Sequence, residues 1–247
     1  MSIATTTRSA TTSPSHAVLK LHVPILTYHR IRPYKASDTV HSKAFITTPT
    51  QFEDEMRFLR ENNYTAITLT DLIKGFNGAA LPDKPVIITF DDGYNSQYVY
   101  AVPILTRYHF VATFFIYTNA TSNYPDFMTW DQLADLHAQG MIIGAHTKSH
   151  PKLTKIKNKH TLTSEIVDSK KILEEKLGIR VDYFAYPYGL YNNTVIDIVK
   201  NAGFLAGVGL NRGSLQSKND SYTLERDNLG GSFESFVDAV KIIPEKR

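Results

Sequence analysis

The sequence predicts an α/β fold, in which parallel strands wrapped by helices form an incomplete or distorted (β/α) barrel in a single domain. Two observations carry this. Short β-branched and aromatic runs alternate with helical segments along the chain, the pattern that joins parallel strands by crossover helices. A length of 247 residues at 42% hydrophobic content also suffices for one large core. No internal repeat is evident.

Residues 1–20 are rich in Ser, Thr and Ala, with Arg8, Pro14 and no acidic residue. They are expected to be a disordered tail, because they cannot bury enough apolar surface to fold. The tail lacks the apolar stretch of a signal peptide; of the two readings, a transit-like leader or a spacer ahead of a domain over 21–247, the spacer is favoured. The run 23–28 is the first strand and leads at once into His29 and Arg30. Thr50-Gln51-Phe52-Glu53 has the form of a capping box, so a helix is expected there with Phe52, Met56 and Leu59 on one face. A strand over 64–68, a short helix from Asp71 and a strand over 86–90 come next.

Pro103 disturbs the helix expected over 96–108. Then come a strand over 112–116, a helix over 131–139 stopped by Gly140, and a strand over 141–145. Leu162, Ile166, Leu173 and Leu177 space out a long helix that Gly178 ends. A strand over 183–186, a helix over 194–202 stopped by Gly203, strands over 204–208 and 222–224, and a helix over 233–240 complete the chain.

The net charge of +3 permits attraction to an anionic surface such as a cell wall. No arginine-rich patch interleaved with aromatics marks a nucleic-acid site, and no stretch has the length of a transmembrane helix. The absence of cysteine excludes disulfides and thiolate chemistry.

The chemistry concentrates at strand ends. Val86-Ile87-Ile88-Thr89-Phe90 runs into Asp91-Asp92-Gly93-Tyr94, so two carboxylates emerge from the core side by side. Neighbouring side chains at a strand end point in different directions, which lets one bind a cation while the other handles a proton. An ordinary Asp-Gly turn with solvated acids is the plain alternative. The strand over 141–145 feeds directly into His146-Thr147-Lys148-Ser149-His150. Two imidazoles four residues apart converge on one ion if the loop makes a single helical turn. His-His-Asp with open positions suits a hydrolytic metal site, since a structural zinc takes four protein ligands. His29, Asp91, Asp92, His146, His150 and Tyr188 all follow strand ends, which in a parallel barrel share one rim.

Thr89-Phe90-Asp91-Asp92-Gly93 and His146-Thr147-Lys148-Ser149-His150 resemble the first two motifs of the polysaccharide deacetylases, carbohydrate esterase family four, also called the NodB-homology domain. The resemblance runs from about residue 23 to about residue 229. It implies a catalytic domain that removes N-acetyl groups from an N-acetylglucosamine polymer (poly-N-acetylglucosamine, peptidoglycan or a chitin-like chain) and releases acetate. Asp92, His146 and His150 would hold a divalent ion, zinc foremost, with iron, cobalt and nickel compatible with the same ligands. Asp91 would be the general base, and the Tyr188 N–H would help hold the oxyanion.

Pro187 and Tyr188 align with the third motif, but Ala185 stands where the family has an arginine that orients the base. Arg226 is a candidate substitute. No histidine follows His160, so the late acid of most of the family is absent, and the resemblance implies that His29 would take its place. That arrangement is similar to the poly-β-1,6-N-acetylglucosamine deacetylases, where the motif order is permuted. An extracellular, cell-surface or periplasmic setting follows from the implied substrate. A glycan-binding module that has lost turnover, and a hydrolase of small amides or imides, are the rival readings.

Tyr94 and Tyr188 are the aromatics expected beside a ligand, whereas Tyr98, Trp130, Tyr186 and Tyr191 are expected in the core. Lys148, Lys152, Lys155, Lys157 and Lys159 read as a solvated face.

Overall fold

The strand Pro85–Phe90 is buried along its whole length inside a parallel sheet. The structure, a computed structural model, describes residues 19–241, so the tail expected over 1–20 falls almost wholly outside the described residues. Along the sheet the order is Ala206–Val208, Tyr183–Ala185, Ile142–Ala145, Thr113–Ile116, Pro85–Phe90, Ile25–Tyr28 and Asp227–Asn228. Thr65–Ala66 also pairs with Pro85–Phe90, and every pairing is parallel. At one end of this path Val208 makes a single isolated bridge to Leu224, which precedes the strand Asp227–Asn228 at the other end. The barrel is therefore incomplete, as the sequence predicts.

Both faces of the sheet are covered, and the strands divide their residues by period two. Leu26, Tyr28, Ile88, Phe90 and Phe114 face the helices, packing with Leu59, Leu105, Leu136 and Ile166. Ile25, Ile87, Phe115, Tyr183 and Val208 fill the lumen. Thr27 and Thr89 continue the lumen set and touch at 3.2 Å. Asp91 lies two residues further along this row, so the alternation that builds the core also aims its carboxylate inward. Gly144 makes the lumen packing fit, because a Cβ there would lie 2.5 Å from the Phe115 ring.

The helices form where expected, with shifted ends. The helix Pro49–Glu61 is capped by Thr48, whose hydroxyl accepts from the Gln51 N–H, and not by Thr50. Pro49 suits the first turn, where its missing N–H is not needed. Asp71 does not begin its helix; it is the third residue of Leu69–Phe76 and completes a capping box with Thr68. The segment expected as one helix over 96–108 splits into a π turn, Gln97–Ala101, and an α-helix, Val102–Tyr108, with Pro103 in its first turn. Lys159–Leu177 ends at Gly178, which takes φ +66° at the left-handed cap.

The run 222–224 is not a strand; only Leu224 bridges to the sheet. The pairing is done instead by Asp227–Asn228, and by Leu215–Ser217 set antiparallel to Lys20–His22. Strands this short are selected by partners distant in sequence, not by their own composition.

Under the first strand, Tyr28 donates to Glu55 at 2.7 Å and Gln51 donates to it at 2.8 Å. Burial pushes the Glu55 carboxyl up from 4.5 to about 7, against those two hydrogen bonds. Its folded pKa exceeds its unfolded one, so the folded state binds the extra proton between those values and stability falls as pH rises through them. Urea unfolding across pH 4.5 to 7 should show a loss of up to about 3 kcal/mol from this group, and Glu55→Gln should flatten it.

Candidate active site

Because all strands of the main sheet run parallel, their C-terminal ends share one rim. His29 follows Ile25–Tyr28, Asp91 and Asp92 follow Pro85–Phe90, His146 follows Ile142–Ala145, and Tyr188 lies just past Tyr183–Ala185. With His150, these six residues line one cavity of about 770 Å³.

Asp92 Oδ1 lies 3.6 Å from His146 Nε2 and 3.3 Å from His150 Nε2. The three donor atoms fall within 4.8 Å of one another. His146 Nδ1 meets the Ala185 carbonyl at 2.7 Å. A carbonyl only accepts, so Nδ1 carries the hydrogen and the Nε2 lone pair faces Asp92. Burial lowers the His146 pKa to about 3 despite the attraction of Asp91, and burial lowers His150 as well. Two neutral imidazoles beside a carboxylate form a donor set suited to a divalent cation.

The loop between the histidines is not the helical turn expected, since Thr147 and His150 take φ +70° and +57°. Instead, Thr147 Oγ1 accepts from the His150 N–H at 2.9 Å. Glu165 accepts from the Lys148 and Ser149 N–H groups and from the Ser149 hydroxyl at 2.6–3.0 Å. Of the seven non-glycine residues with positive φ among the described residues, Asp92, Thr147, His150 and Tyr188 are at this rim. Such backbone costs free energy and persists where surrounding contacts over-determine it.

Asp91 faces the lumen and is clamped by Arg226, which is fully buried. The guanidinium donates Nη1 to Oδ1 at 2.8 Å and Nη2 to Oδ2 at 2.7 Å. It also donates Nε to the Gly209 carbonyl and Nη1 to Thr89 Oγ1. Burial raises the Asp91 pKa, but Arg226 and then His146 outweigh it and hold the carboxyl well below the usual range. Arg226 thus occupies the place beside Asp91 that Ala185 leaves open. His29 stands edge-on to Phe45 with rings 5.1 Å apart, and its Nδ1 is buried with no partner among the described residues.

Tyr94 and Tyr188 line the cavity, while Tyr98, Trp130, Tyr186 and Tyr191 do not. Arg30 stacks on Tyr94 at 3.7 Å and pairs with Asp126 at 3.3 Å. The lysine run divides: Lys148 bonds Ser164 and Asp168, whereas Lys152 sits 5.2 Å from the Tyr188 ring centre. Sequence reasoning missed Glu165. Its signal was one acid on the helix face that carries Leu162, Ile166 and Leu173.

Removing one partner of a buried ion pair leaves the other charge unpaired. Arg226→Met should therefore cost about 3–5 kcal/mol in denaturant unfolding. Asp91→Asn combined with Arg226→Met should cost much less than the sum of the single changes, as a double-mutant cycle would measure.

Over 233 residues the chain is 28% identical to the poly-beta-1,6-N-acetyl-D-glucosamine N-deacetylase of Staphylococcus epidermidis, covering 86% of this chain and 81% of the relative. The enzyme of the same name from Staphylococcus aureus is 27% identical over 222 residues, covering 81% of this chain and 76% of the relative. The structure matches the Streptococcus pyogenes deacetylase PplD, solved in complex with acetate, with a TM-score of 0.83 and 27% identity, over 92% of this chain and 100% of the other. IcaB from Ammonifex degensii shares the fold with a TM-score of 0.77 at 22% identity, over 89% of this chain and 95% of the other. The polysaccharide deacetylase family model matches residues 78–207, just over half of the 247 residues. That span holds Asp91, Asp92, His146, His150 and Tyr188, and the chain belongs to the polysaccharide deacetylase family.

Proposed function

We propose that residues 21–247 form a metal-dependent N-deacetylase that hydrolyses the acetamide of an N-acetylglucosamine polymer and releases acetate. The observation that carries this is the Asp92, His146 and His150 donor set beside an arginine-clamped Asp91 in one cavity. The names of the staphylococcal relatives support poly-β-1,6-N-acetylglucosamine as the first polymer to assay. Such a polymer lies outside the cell membrane, which supports an extracellular or cell-surface setting.

Asp92, His146 and His150 would hold the ion, zinc first by ligand chemistry. Bound there, a divalent ion lowers the pKa of a water and polarises the acetamide carbonyl. Asp91 accepts the proton of the attacking water; kept ionised by Arg226, it is a weak but always available base. The Tyr188 N–H would help hold the developing oxyanion. His29 donates a proton to the nitrogen as the C–N bond breaks, so the sugar leaves as a neutral amine and the acyl group as acetic acid, which gives up its proton to solvent and becomes acetate. His29 lines the same cavity as Asp91 and Asp92, which supports its acting on a substrate held there.

The alternative of a glycan-binding module without turnover drew on the missing arginine at position 185. Arg226 supplies that contact from another part of the chain, which removes its support.

Asp92→Ala, His146→Ala or His150→Ala should lower bound metal in elemental analysis, and chelation of the wild type should abolish acetate release until a divalent ion is restored. Asp91→Asn should keep its metal and lose most turnover. Full activity in that variant, or activity on small amides but not on oligomers, would overturn this reading.

His29→Ala should keep wild-type metal content while acetate release falls by about 10²-fold or more. Near-normal release would exclude His29 as the acid.

A further inference from the structure

Gln97 is fully buried, and nothing in the proposed chemistry uses it. It opens the π turn Gln97–Ala101, directly after the loop that carries Asp91 and Asp92. The ladder between Ile25–Tyr28 and Pro85–Phe90 ends where the Asp91 N–H donates to the Tyr28 carbonyl at 2.9 Å. Beyond that point the backbones diverge, His29 toward the strand Arg30–Ile31 and Asp91 into the Asp-Gly turn. The next carbonyl on each side loses its strand partner, and a buried carbonyl needs a donor.

Gln97 Nε2 supplies both. It donates to the His29 carbonyl at 2.7 Å and to the Asp91 carbonyl at 2.6 Å. An amide nitrogen carries two hydrogens, so both are committed here, and two accepting partners fix which end is nitrogen. Its Oε1 is buried with no partner among the described residues, so the side-chain amide bonds only at this junction. π turns are rare and recur at functional sites.

We infer that Gln97 is a positioning residue for the reaction: one buried amide ties the backbone of Asp91 to that of His29 and so sets the separation of base and acid. The inference rests on the roles proposed above for those two residues. A glutamine that only stabilised the fold would, when lost, lower the melting temperature and leave turnover by the folded fraction intact. A positioning residue also lowers kcat in the folded, metal-loaded protein, because small misplacement of reacting groups is costly.

The test compares Gln97→Met, of similar size and without donors, with Gln97→Glu, which keeps the shape and at most one donor. Leu173→Ala is the control, a core truncation on the helix Lys159–Leu177 remote from the rim. Wild type and Asp91→Asn are measured alongside. For both Gln97 variants the expected result is a fall in kcat of about 10²-fold, with KM and metal content near wild type. Deuterium uptake should rise at 28–31 and 89–93. Leu173→Ala should lose melting temperature but not kcat. A folded, metal-loaded Gln97 variant whose kcat stays within about threefold of wild type overturns the inference, as does unchanged uptake at both strand ends. If wild type itself releases no acetate, or Asp91→Asn still does, the fault lies in the proposed function, and the exchange measurement still decides whether Gln97 ties the strand ends.

Discussion

A carboxylate facing the lumen of a barrel cannot stay ionised unless a cation comes in with it. In this chain the cation is Arg226, which reaches Asp91 past the intervening strand Ile25–Tyr28. The same guanidinium bonds the Gly209 carbonyl at one end of the strand path, while its own segment pairs with Ile25–Tyr28 at the other. One buried ion pair therefore does two jobs. It helps join the ends of an incomplete barrel, and it holds a carboxylate ionised at the rim.

Around that pair the rim is built from residues in unfavourable backbone. Asp92, Thr147, His150 and Tyr188 all take left-handed dihedrals. Glu165 reaches from the helix Lys159–Leu177 to pin the loop between the two histidines, and the Ala185 carbonyl fixes the face of His146. The helix layer and the neighbouring strand thus orient donors that the local sequence alone would leave mobile. Packing also decides size, since Gly144 leaves room for Phe115 in the lumen next to Arg226.

The sequence by itself determined much of this protein. Short apolar runs ending in Asp91-Asp92 and in His146, alternating with helical segments, name a parallel sheet with its chemistry at one rim, because that pattern is repeated along the chain. His29, absent from the span that the family model matches, was legible for the same reason: it follows the first strand.

What only the tertiary structure decided were contacts between residues far apart in the chain. Arg226 lies 135 residues from Asp91; the sequence offers it as a candidate partner, but only the fold brings the two side chains together. Gln97 lies 68 residues from His29, and its role comes from two carbonyls left over where strands diverge. The short strands Leu215–Ser217 and Asp227–Asn228 carry no periodic signal and exist because partners await them. Such features follow from burial, which forces each polar group to find a partner wherever the fold has one, and burial is a property of the assembled chain.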